Sequence, residues 1–221
     1  MNSLSVALAI PVTQLVLIGG GEFSFGETRE IDEYIASQIP RDNRTIAFIP
    51  AASGSAEYAG HLGKYFKEID ATLVTTNVPI YRGRDSRRQK NVDLLRFAGC
   101  IYIGGGVTNN LLGTLRESAA ELAMRDAAAH GAVIAAIGAA ASCFGTHTRD
   151  MRGVTSSLPA LGWLADTVIE APFDAESDAS LRRLMSLASH GVGIPPKTAL
   201  AIGNDGQARV LGEGKIAVYR K

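Results

Sequence analysis

The chain has 221 residues of ordinary globular composition, 46% hydrophobic and 20% charged, and its 22 basic residues balance its 22 acidic ones. That length suits one large α/β unit with a sizeable core, and a net charge of +0 excludes a general electrostatic pull on nucleic acid or an anionic membrane. No apolar run reaches the ~18 residues needed to span a bilayer, and the two cysteines, Cys100 and Cys143, sit among small apolar residues, as free thiols of a reducing cytoplasm do.

The opening "SLSVALAIPV" is apolar but lacks a basic start, and Pro11 interrupts it. Residues 1–13 therefore read as a disordered or loosely docked leader, and residues 14–221 as a single domain. "QLVLIGGG" (14–21) is a buried strand ending in a glycine turn, and "ETREIDEYIASQI" (27–39) has helical spacing through Ile31, Ile35 and Ile39. "RTIAFIPAAS" (44–53) is a second strand, Glu57 to Ile69 a second helix, "ATLVTTNV" (71–78) a third strand and "GCIYIGGG" (99–106) a fourth. "NNLLGTLRESAAELAMRDAAAHG" (109–131) reads as one long helix ended by a glycine. "AVIAAIG" is a fifth strand, followed by the small-residue start of a helix.

Continuous Val/Ile runs separated by helices imply a mostly parallel sheet covered on both faces, a three-layer α/β/α fold. The tail "TALAIGNDGQARVLGEGKIAVYRK" holds three short strands separated by "NDG" and "GEG" turns, which predicts a C-terminal antiparallel meander.

Two strands end in triple glycines, Gly19–Gly21 and Gly104–Gly106. Ser24 and Asn109 stand where the third glycine of a dinucleotide fingerprint belongs, and no Gly-Lys-Ser/Thr follows, so neither a Rossmann nor a Walker-type phosphate loop is present. Such turns bring backbone close to a ligand and leave N–H groups free at a helix start. In an acyl-transfer enzyme these groups form an oxyanion hole; equally, they serve as simple tight β–α turns.

The ordered series "LVLIGGGE", "IAFIPAAS", "IYIGGGVTNNLLGTL", "AVIAAIGAAASCFG", "ALGWLADTVIEAPFD" and "GIPPKTALAI" resembles the dipeptidase E and cyanophycinase family of serine peptidases, over roughly residues 14 to 220. The resemblance implies the type 1 glutamine amidotransferase-like (flavodoxin-like) fold and a peptidase ancestry. The family's elbow reads Gly-x-Ser-Ala-Gly-Ala, with the serine as nucleophile. Here the matching residues are Ala136-Ile137-Gly138-Ala139-Ala140-Ala141, so Gly138 occupies the nucleophile position. The family's catalytic histidine stands in a His-Phe pair, and the matching segment Glu170-Ala171-Pro172-Phe173-Asp174 puts Pro172 in its place.

Glycine has no side chain with which to attack, and proline cannot carry a proton. The resemblance therefore implies a divergent member, a pseudoenzyme for serine-peptidase chemistry, that keeps the oxyanion glycines Gly105 and Gly106 together with Gly138 and Ala139 around a cleft. Three fallbacks stay open. Cys143 and His147, four apart on the expected helix, form a possible nucleophile pair, and Ser142 lies in the same helix. The carboxylates Glu22, Glu170 and Asp174 near strand ends suit ligand binding or repurposed acid/base chemistry in a biosynthetic pathway. Against each stands a plain structural role: a buried thiol, a helix-end histidine, surface carboxylates. His61, His130 and His190 read as helical or helix-end surface residues, and "YRGRDSRRQK" (81–90) as a solvated loop and helix start. No cluster has metal-ligand spacing. The expected partner is a small molecule or short peptide in the cleft, with no cofactor, no nucleic acid and no membrane; a homodimer and a cytoplasmic location complete the expectation.

Overall fold

A computed structural model describes residues 4–53, 57–153 and 155–221. In chain order the elements are β1 (Leu4–Ser5), β2 (Gln14–Ile18), α1 (Arg29–Gln38), β3 (Thr45–Ile49), α2 (Glu57–Ile69), β4 (Val74–Asn77), α3 (Gln89–Arg96), β5 (Cys100–Ile103), α4 (Thr108–Leu115), α5 (Ala119–Ala129) and β6 (Val133–Ile137). They continue as α6 (Ala139–Ser142), β7 (His147–Arg149), β8 (Ser157–Pro159), β9 (Thr167–Glu170), α7 (Ala179–Leu184), β10 (His190–Gly193), β11 (Thr198–Gly203), β12 (Gln207–Gly212) and β13 (Ala217–Arg220).

The central sheet has eight strands in the order β1-β12-β11-β2-β6-β5-β3-β4. Strands β2, β6, β5, β3 and β4 are mutually parallel, and β11, β12 and β1 extend the sheet antiparallel beyond β2. The period-2 rule sends alternate residues of each strand to opposite faces. Leu15, Leu17, Ile134 and Ala136 pack with residues of α3 to α6, whereas Val16, Ile18, Val133 and Ala135 pack with α1 and α2. A third, small cluster joins β9 and α7 through Val168, Phe173, Leu181 and Leu184. The expected three-layer arrangement with a mostly parallel sheet is the one found.

Four local expectations need correction. The C-terminal strands do not form one meander: β11 and β12 do, but β13 leaves the central sheet and pairs with β10, which in turn pairs with β9. The long helix expected over 109–131 is two. Glu117 takes a positive φ of 58°, and the Ser118 hydroxyl caps α5 by accepting from Glu121 N–H at 3.1 Å. Glu121 also reaches back to Glu117 N–H at 2.6 Å, one residue before the N–H that a full capping box uses, so Ser118-x-x-Glu121 caps the start of α5 within the Ala/Leu-rich run. The leader is docked from Leu4 onward: β1 pairs with β12, Leu8 bridges Leu164, and Val6 and Val12 are buried. Its residues 1–3 lie outside the described residues. Finally, the helix after the fifth strand stops at Ser142 and His147 opens β7, so Cys143 and His147 do not share a helical face.

Candidate functional site

The register places the carboxyl ends of three parallel strands side by side. Ile18 of β2 is opposite Ile137 of β6, and Ala136 is opposite Ile103 of β5. The chain after each strand end is glycine: Gly19–Gly21, Gly138 and Gly104–Gly106. Open α/β sheets take their ligands at this end. A cleft of about 510 Å³ lies there, walled by both glycine turns, Gly138, Ala139, Ser142, the β7–β8 hairpin and Glu170 to Pro172.

Gly138 is the turn between β6 and α6. Its φ of 60° and ψ of −127° fall where side-chain-bearing residues are strained, and its N–H donates to Ile18 carbonyl at 2.8 Å, continuing the ladder with β2. A Cβ built at Gly138 would meet no other atom within 4 Å, so a side chain at the apex would project into open space. The Gly104–Gly106 turn is wedged against this elbow. A Cβ at Gly105 would lie 3.1 Å from Ile137 carbonyl oxygen, a tight contact, and one at Gly106 would lie 2.3 Å from that of Ala52, closer than any side chain permits. Among the described residues, the N–H groups of Gly105, Gly106 and Ala139 have no acceptor.

Pro172 follows a cis peptide bond with Ala171 and is exposed on the cleft wall opposite the first glycine turn; a Cβ at Gly20 would lie 3.8 Å from its own. Ser142 is buried and its hydroxyl is used twice: it accepts from Ala171 N–H at 2.8 Å and donates to Ala171 carbonyl at 3.1 Å. Cys143 is fully buried behind the cleft wall, its Sγ 3.3 Å from Ala139 carbonyl oxygen, and burial pushes its thiol well above the usual range. His147 does not line the cleft, and its buried Nδ1 has no partner among the described residues.

The three carboxylates separate. Glu170 lies in the cleft, 8% exposed, with Oε1 3.4 Å from Arg149 Nη1. Burial raises its pKa, against smaller opposing effects of the Ser180 hydroxyl and of Arg149. Glu22 and Asp174 lie outside the lining; they cap short 3-10 turns, Glu22 accepting from Ser24 and Asp174 from Glu176. Of the remaining histidines, His61 is in α2 and His130 caps α5, as expected, but His190 begins the strand β10.

Sequence reasoning missed the hairpin that roofs the cleft. Arg149 and Met151 reach into it, and α4 clamps the hairpin: Thr108 Oγ1 donates to Arg149 carbonyl at 3.0 Å, Asn109 Nδ2 to Asp150 Oδ1 at 2.7 Å, and Met151 N–H to Asn109 Oδ1 at 2.9 Å. Arg152 and Asn109 hold the Asp150 carboxyl well below the usual carboxylate range. The pairing of "TNN" with "RDM" across 41 residues has no local signature. No group of three or more His, Cys, Asp or Glu able to hold a metal exists among the described residues, and no described helix is long and apolar enough to cross a membrane.

The chain has known relatives in sequence and in fold. The uncharacterised peptidase YgaJ of Bacillus subtilis (strain 168) is 32% identical over 171 residues, which cover 75% of this chain and 70% of that protein. A peptidase from an acI-B1 Actinobacterium has a crystal structure that superposes with a TM-score of 0.80 at 19% identity, over 96% of this chain and 93% of that one. A candidate Peptidase E protein from Listeria monocytogenes EGD-e superposes with a TM-score of 0.60 at 16% identity, over 95% and 99% of the two chains. The sequence profile of peptidase family S51 matches residues 15–210, and the chain belongs to that family.

Proposed function

We propose that this family S51 chain has lost serine-peptidase chemistry and keeps its cleft as a binding site for a small molecule or short peptide. The observation that carries the reading is Gly138: at the elbow, where the family's serine would project, there is open space and no side chain. Pro172 in the histidine position leaves no imidazole to serve as the triad base, and no histidine or cysteine lines the cleft among the described residues. The two fallback nucleophiles are poor ones. The Ser142 hydroxyl is committed to Ala171, and the Cys143 thiol is buried and held protonated. The unoccupied N–H groups of Gly105, Gly106 and Ala139 act as a cradle for a carbonyl or carboxylate oxygen, without covalent attack. The free thiols favour a reducing, cytoplasmic setting.

A second reading rests on Glu170, a cleft carboxyl with a raised pKa beside Arg149, which suits acid/base chemistry of a different kind. It makes a pH-dependent activity abolished by Glu170→Gln the distinguishing result.

The test is hydrolysis of aspartyl dipeptides, cyanophycin-type peptides and activated esters by the purified protein. The wild type shows no peptidase-level turnover, and a residual rate of about a thousandfold or more over water is attributable to the cradle and binding alone. Gly138→Ser alone adds little, because the hydroxyl lacks a base, whereas Gly138→Ser with Pro172→His restores ester cleavage. Robust wild-type turnover that disappears in Cys143→Ala or His147→Ala overturns the reading.

A further inference from the structure

Far from the cleft, the sheet ends at β4, whose outer edge has no strand beside it among the described residues. Its sequence, Val-Thr-Thr-Asn, contains no charge and no proline, the devices by which monomers protect an exposed edge. Helix α2 covers one face of β4. The other face is open and forms one wall of a groove of about 600 Å³, with Thr45 and Ala47 of β3, Thr76 of β4, and Leu94, Phe97 and Ala98 at the end of α3. Two large apolar side chains stand exposed at the groove and the edge: Phe97 at 70% and Val74 at 58%. Nothing among the described residues covers them.

We infer that this edge and groove form a two-fold interface with a second copy of the same chain, in which Phe97 of each copy seats in the other's groove and the β4 edges run antiparallel. The charge pattern favours this occupant. Lys90 and Asp93, one basic and one acidic, are the groove's charged residues. Lys90 has no ion-pair partner among the described residues, and Asp93 uses only Oδ1, accepting from Gln89 at 2.7 Å with Arg96 3.9 Å away. A two-fold axis brings Lys90 of one copy toward Asp93 of the other, so the patch is complementary to itself, as an isologous interface requires. The chain's net charge of +0 adds no repulsion between copies. In parallel β4, the backbone groups of Thr75 and Asn77 point away from β3, since Val74 and Val78 N–H donate to Arg44 and Phe48 carbonyls; they are the groups a partner strand pairs with.

The interface is independent of whether the cleft has lost its chemistry, and its test is the mass in solution. Sedimentation or light scattering of the full chain from about 1 to about 100 µM should give twice the 23.3 kDa monomer. Phe97→Glu and Val74→Lys, both at exposed positions, should weaken dimerisation about tenfold or more with unchanged melting of the monomer. Phe25→Glu, at an even more exposed phenylalanine on another surface, should leave the dimer intact. Lys90→Glu and Asp93→Lys should each weaken the dimer, and their combination should restore it. A wild-type monomer at every concentration, or a dimer that survives Phe97→Glu with Val74→Lys, overturns the inference.

Discussion

The hydroxyl of Ser142 ties the backbone of Ala171 to the helix after the elbow, with one bond accepted at 2.8 Å and one donated at 3.1 Å. The two residues are 29 apart in sequence, and the contact fixes the chain that bears Pro172 against the turn that bears Gly138. Ser142 is thereby a structural brace between the two sides of the cleft.

Ser142→Ala should therefore act on stability. It leaves a buried N–H and a buried carbonyl without their partner, which costs about 1–3 kcal/mol. Urea denaturation measures this as a lower midpoint at unchanged slope. A variant as stable as the wild type would mean that the brace contributes nothing.

Gly138→Ala tests the elbow's backbone. Since a Cβ there meets no neighbour, the whole cost is the strain of φ 60°, ψ −127°, of order 1–3 kcal/mol. Gly106→Ala adds a collision with Ala52 carbonyl oxygen and should cost more. Denaturation midpoints in the order wild type, Gly138→Ala, Gly106→Ala are expected; equal losses at both glycines would contradict the geometry.

Asp32 makes stability depend on pH. It is fully buried in α1, with Thr28 Oγ1 at 2.6 Å and Tyr65 hydroxyl at 3.0 Å on Oδ2, and no partner on Oδ1. Burial raises its pKa from 3.8 to about 6. The folded state thus holds a proton that the unfolded state releases between these values. The contribution is fully favourable below about pH 4 and is lost as pH rises through 6, by about 3 kcal/mol in all. The stability difference between wild type and Asp32→Asn should fall by that amount from pH 4 to pH 7; parallel profiles would rule this out.

Ser118→Ala should cost about 1 kcal/mol by removing the cap of α5. Thermal melts measure it, and Glu121→Ala should cost more because it also frees Arg125, bound at 3.0 and 2.7 Å.

What was legible in the sequence followed from period and ordered motifs. Buried runs such as Leu15–Ile18 and Val133–Ile137 are strands because every residue packs on one face or the other, and that pattern survives any detail of the loops. The elbow was legible because a glycine between a strand and a run of alanines leaves few alternatives. The helix break at Glu117–Ser118 carried a readable signal, Ser-x-x-Glu, masked by the helix-favouring Ala and Leu around it. The short α6 carried none: it ends because Phe144 packs against Trp163 with ring centroids 5.0 Å apart and the chain turns into β7. Arg149 and the exchange of β13 between sheets depend on contacts between distant segments, which no local pattern encodes.

The empty apex has a consequence for time rather than for affinity. Enzymes that acylate a serine hold their substrate for as long as the bond takes to break. Glycine at position 138 can form no such bond, so in the binding role proposed above a guest stays only as long as its contacts with backbone N–H groups, Arg149 and apolar walls retain it. Under the proposed binding role, occupancy tracks the free ligand concentration from moment to moment, and a serine-directed covalent reagent finds no hydroxyl at residue 138 to mark.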